Sequence, residues 1–94
     1  MVVETTTFQL ADSVDDAAFL EFDEEVRTGF LYHQPGLVRA TTARGDGGEW
    51  IVVVLWASVD AADAAVQAAE NDPVVQRFNE VTAGAVKKRY SDFG

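Results

Sequence analysis

The chain has 94 residues, 48% hydrophobic and 24% charged, with a formal charge of −9. That is the size and composition of one globular domain, read here as residues 1–94. The acidic balance argues against nucleic acid and anionic membranes as partners, and the absence of cysteine removes disulfides and thiolate metal sites.

A single histidine, His33, excludes a multi-histidine metal centre within one chain. Met1–Leu10 carries an acid and three threonines where a signal peptide needs a basic start and an apolar run. The apolar run that opens at Trp50 and ends at Ser58 is far too short to span a bilayer. The expectation is a soluble, cytoplasmic protein.

Val2 to Leu10 is rich in β-branched and aromatic residues and reads as a strand. Ser13 reads as the N-cap of a helix, with Asp15 and Asp16 in its first turn, where negative charge suits the dipole. The helix is expected to run to about Tyr32. Phe19, Phe22, Val26 and Phe30 form its apolar stripe, and Pro35-Gly36 ends it.

Leu37 to Arg44 reads as a second strand and Glu49 to Trp56 as a third, joined by a hairpin at Gly45-Asp46-Gly47-Gly48. Ser58 caps a helix from Val59 to about Glu70. Asn71-Asp72-Pro73 breaks and restarts it, with Asp72 as cap and Pro73 first in the new turn. Val74, Val75, Phe78 and Val81 carry its apolar face. Gly84 is read as its end, and Val86 to Tyr90 as a short last strand.

The order β-α-β-β-α-β predicts an α+β, ferredoxin-like fold with a four-stranded antiparallel sheet, its first and third strands central. Arg39, Arg44, Lys87, Lys88 and Arg89 suit protected edges. The last three are expected to be edge-strand and interface charges, not an anion site, and to meet acidic groups of the same dimer. The third strand, Trp50 to Trp56, does not alternate apolar with polar. Both its faces want burial, and two helices cover only one. A second copy of the sheet would cover the other, giving a homodimer.

Pro35-Gly36-Leu37 opening the second strand, the glycine-rich hairpin, Leu55-Trp56-Ala57-Ser58 and Asn71-Asp72-Pro73-Val74 resemble the antibiotic-biosynthesis-monooxygenase-like members of the dimeric α/β-barrel superfamily. The resemblance covers nearly the whole chain. It implies a dimeric α/β barrel and cofactor-independent oxygenation of aromatic compounds, with no cofactor. Trp56 takes the place of a tryptophan that lines the oxygenases' pocket. Val52 and Ala62 stand where those enzymes have an asparagine and a tyrosine. The haem-degrading branch uses a second-helix histidine, which Val74 to Glu80 lacks.

The candidate site residues are Trp56 as a wall and Phe78 among the apolar lining. Arg77 is a contact for a phenolate, Thr5 and Thr7 are a polar lining on one face of the first strand, and His33 is a base flanked by Tyr32 and Gln34. Each has a plainer role open to it: core aromatic, solvated helix residue, ordinary strand threonine, or surface histidine at a helix end. Two functions compete. One is a cofactor-independent monooxygenase acting on a small aromatic compound. The other is a non-catalytic dimeric module that binds a small ligand or serves a stress role. A haem protein ranks below both.

Overall fold

The computed structural model describes residues 1–93; Gly94, the last residue of the expected domain, lies outside the described residues. The elements are β1 (Val2–Leu10), α1 (Asp16–Gly29), a short 3-10 turn (Leu31–His33), β2 (Leu37–Arg44), β3 (Trp50–Trp56), α2 (Val59–Ala69), α3 (Pro73–Glu80) and β4 (Thr82–Ser91). The four strands form one antiparallel sheet in the order β2-β3-β1-β4. This is the expected α+β, ferredoxin-like fold, with β1 and β3 in the middle.

Local chemistry corrects several boundaries. The cap of α1 is Asp15, whose carboxylate accepts the Ala18 N–H at 2.8 Å. Ser13 instead occupies the preceding turn at φ 70°. The helix ends at Gly29, not near Tyr32. Glycine weakens a helix, and Phe30 leaves helical geometry at φ −130° before the 3-10 turn begins. The break between α2 and α3 lies where the sequence places it. Asp72 accepts the Val74 and Val75 N–H groups, and Pro73 opens α3.

Gly84 does not end a helix. It lies inside β4 at φ 63°, between the pairs Thr7–Val86 and Gln9–Ala83, where β4 carries one extra residue. That is a β-bulge, and glycine supplies the left-handed geometry it needs. The strand is therefore longer than the sequence suggests. Gly36 meets a double demand. It sits at φ 83°, and a Cβ there would lie 2.5 Å from the Ala61 Cβ. Its carbonyl accepts the Ala57 N–H at 2.8 Å, which holds the start of β2 beside the end of β3.

Register assigns the faces. Val2, Glu4, Thr6 and Phe8 pair with Trp56, Val54, Val52 and Trp50, and these eight side chains share the helix-covered face. One buried cluster joins Val2, Val54 and Trp56 to Phe30, Leu31, Ala62 and Ala65. A second joins Phe8 and Trp50 to Phe19, with Phe78 packed on it. Ile51, Val53 and Leu55 project from the other face; they are half-buried and belong to neither cluster.

The basic run of β4 also alternates. Lys87 and Arg89 face the helices opposite Thr6 and Glu4, while Lys88 faces away opposite Thr5. Arg89 donates to Glu4 Oε2 from Nη2 at 3.1 Å and from Nε at 3.3 Å, and to Asp63 Oδ1 at 2.7 Å. The acids that Arg89 meets thus lie in its own chain.

Candidate functional site: a cavity between sheet and helices

A cavity of about 250 Å³ lies between the sheet and all three helices. Glu4, Thr6, Val52, Val54 and Trp56 form its floor. Val26 of α1 and Phe30 just beyond it, Ala65 and Ala69 of α2, and Val75 and Phe78 of α3 form its roof. Trp56 and Asp23, each 2% exposed, are the most buried of the lining residues. The exposed Asn79, Ala85 and Lys87 mark the mouth.

Space arises here because α2 faces the Trp56 side of the sheet with alanines. Ala62 and Ala65 are buried against it. Small side chains opposite a large ring leave volume that larger ones would fill.

The walls are mostly apolar, but the lining also holds buried polar atoms. The Trp56 Nε1–H is sealed from water and has no hydrogen-bond partner. Asp23 lies on the sheet-facing side of α1, on the stripe of Phe19, Val26 and Phe30. Its Oδ1 accepts the Thr42 hydroxyl at 2.9 Å. Its Oδ2 lies 3.3 Å from Arg27 Nε, but the angle forms no hydrogen bond. Burial pushes the Asp23 carboxyl above its ordinary value of 3.8; the Thr42 hydrogen bond and the Arg27 charge oppose the rise without cancelling it. Nearer the mouth, the buried Glu4 is neutralised by Arg89 and, at 3.8 Å, by Lys87.

The six residues singled out from the sequence fall in four places. Trp56 and Phe78 line the cavity. Thr5 and Thr7 lie on the opposite sheet face, beside Val53 and Ile51, and it is Thr6 that faces the cavity. Arg77 is half exposed and pairs with Glu25 of α1 at 3.7 Å. His33 is exposed in the 3-10 turn, away from the lining residues.

Sequence reasoning missed Asp23, Glu4 and Thr6. A signal existed for each. Asp23 stands four residues after Phe19 and three before Val26, on the apolar stripe itself. Glu4 and Thr6 share the strand parity of Val2 and Phe8.

No protein-family model matches the chain, and no curated protein matches it. Solved structures do. SnoaB, a cofactor-independent oxygenase from Streptomyces nogalater, matches in a mutant form with a TM-score of 0.82 at 18% identity, over 99% of this chain and 93% of that chain. A protein described as an antibiotic biosynthesis monooxygenase matches with a TM-score of 0.79 at 11% identity, over 100% of both chains. The chain has the fold of these proteins. Rv0793 from Mycobacterium tuberculosis shares it too, with a TM-score of 0.71 at 14% identity, over 99% of this chain and 95% of that chain. At such identities the likeness carries architecture and leaves chemistry to the site.

Proposed function

We propose that this chain is a cofactor-independent monooxygenase-like enzyme acting on a small aromatic compound bound in the cavity. The observation that carries the reading is the cavity itself. It is an apolar space walled by Trp56, Phe30 and Phe78, with a buried carboxylate and a buried, unpartnered indole N–H in its lining. Its volume lies just below the ~300–1,000 Å³ usual for ligand sites, so the compound is small. The shared fold with a cofactor-independent oxygenase supports the choice of reaction.

In such a reaction the substrate supplies the electrons. A ring methylene activated by an ionised hydroxyl gives up two hydrogens. One atom of dioxygen becomes the new carbonyl, and the other leaves as water. The protein must favour the substrate anion and exclude bulk water.

The functional unit is a cytoplasmic homodimer. Support comes from the bare sheet face, where Val3, Val53 and Leu55 with Arg39 and Thr41 border a hollow. Val86 and Tyr90, each 51% exposed, extend the same face. Among the described residues no helix is long and apolar enough to cross a membrane. Light scattering at micromolar concentration is expected to give a dimer mass, and Val53→Glu a monomer mass. A monomeric parent refutes the dimer.

The activity is tested by oxygen uptake with a panel of dihydroxyaromatics and anthrones. Uptake by the parent is expected to fall at least tenfold in Trp56→Ala. No uptake with any member leaves the non-catalytic binding module as the reading. Uptake unchanged in Trp56→Ala moves the reaction out of this cavity.

A further inference from the structure

A carboxylate inside an apolar helix stripe is expensive. Burying an ionised acid without full pairing costs several kcal/mol, and Asp23 is only partly paired. Thr42 satisfies Oδ1, while Oδ2 is left with an ion-pair neighbour and no hydrogen bond. A leucine or phenylalanine at this place would continue the stripe from Phe19 to Val26. Asp23 also borders the cavity. The Arg27 side chain beside Oδ2 is 33% exposed, so it can retract toward solvent and leave that oxygen to a bound molecule.

We infer that Asp23 is the proton acceptor of the cavity, receiving the hydroxyl proton of the bound aromatic compound on Oδ2. The assignment rests on the cavity being the ligand site. In the step, the ligand O–H bond breaks, an Asp23 O–H bond forms, and the electron pair stays on the ligand oxygen. Negative charge thus passes from carboxylate to ligand, and the net charge of the cavity does not change. Thr42 acts as a positioning residue by holding Oδ1.

The raised proton affinity of Asp23 narrows the gap to a phenol, which favours transfer. The charged groups around the carboxyl are Arg27 on its own helix, and Glu4 and Lys87 across the cavity. Glu4 is held by Arg89 and Lys87. Asp23 Oδ2, with Arg27 beside it, is the buried carboxylate oxygen of the lining that no hydrogen bond satisfies.

The probe pair is 4-nitrophenol and nitrobenzene, which differ by the hydroxyl alone. At a pH where the phenol is neutral and Asp23 ionised, the parent is expected to bind 4-nitrophenol about tenfold more tightly, the worth of one charge-assisted hydrogen bond. The absorbance band of the bound phenol should move toward that of phenolate. Asp23→Asn keeps the shape and the Thr42 contact, and should lose most of the preference and the band shift. Asp23→Leu should lose both entirely while still binding nitrobenzene. Thr42→Val should keep the preference but move its acid limb to higher pH, because a hydrogen bond that favours the charged form is gone.

Equal binding of both probes by the parent overturns the assignment, as does a preference that survives in Asp23→Asn. A parent that binds neither probe overturns the cavity reading and this assignment with it. A hydroxyl preference that depends on Asp23, beside absent oxygen uptake, upholds the assignment and rejects only the catalytic reading.

Discussion

The two ends of one sheet face are built on opposite plans. At the β1 C-terminal end, Phe19 packs ring against ring with Trp50 at 4.7 Å, Phe8 at 5.4 Å and Phe78 at 5.5 Å between centroids. Of these rings only Phe78 lines the cavity. At the other end Trp56 is as buried as those rings, yet it meets alanines of α2 and a cavity. The Trp56 Nε1–H there has no hydrogen-bond partner, and Asp23, bonded to Thr42 beside Val52, lies between the two ends. Phe78 belongs to both, as the edge of the aromatic cluster and a wall of the cavity. Burial alone therefore does not tell a stabilising aromatic from a binding one. What faces the ring does.

That contrast can be broken from either side. Phe19→Ala removes the centre of the filled end and should cost about 3–5 kcal/mol in urea unfolding. Ala65→Leu in the hollow end should have the opposite sign. It fills space, holds stability or raises it by up to about 2 kcal/mol, and abolishes nitrobenzene binding. If Phe19→Ala were tolerated as easily as Ala65→Leu, the two ends would not differ in kind.

The smallest effect belongs to Asp23→Asn. Because the folded protein holds this proton more tightly than the unfolded chain, Asp23 favours folding below its ordinary value of 3.8. That contribution is lost as pH rises through the raised folded value. The Asn variant should therefore gain stability relative to the parent as pH climbs out of the acid range. At neutral pH it should melt no lower than the parent while binding 4-nitrophenol less well. A melting temperature that falls more at pH 7 than at pH 4 would mean the ionised carboxylate holds the fold together.

Much of the architecture is legible in the sequence because local chemistry and pattern agree there. The element order, the central β3 and the Asp72-Pro73 restart follow from turn residues and apolar density. The site is less legible, for physical reasons. In β1, Thr5, Thr6 and Thr7 stand in a row, so composition gives no parity, and only anchoring on Val2 and Phe8 turns Thr6 inward. In α1, a stripe drawn through Phe22 hides the steeper one through Asp23, because an acid is assumed to face water. Gly84 looks like a stop, since a bulge and a helix end both need the same left-handed backbone. Arg77 and His33 carry useful chemistry, but helix direction and the early end of α1 turn them to solvent.

The central claim is that an aromatic compound sits against Trp56 with its hydroxyl toward Asp23. A crystal structure with 4-bromophenol tests it most directly, since bromine locates itself by anomalous scattering. The expected result is one bromine peak inside the cavity, between Trp56 and Phe78, with the hydroxyl at hydrogen-bond distance from Asp23 Oδ2. A cavity that stays empty while bromine settles on the outer sheet face, or a ligand bound with its hydroxyl toward the mouth, would contradict it.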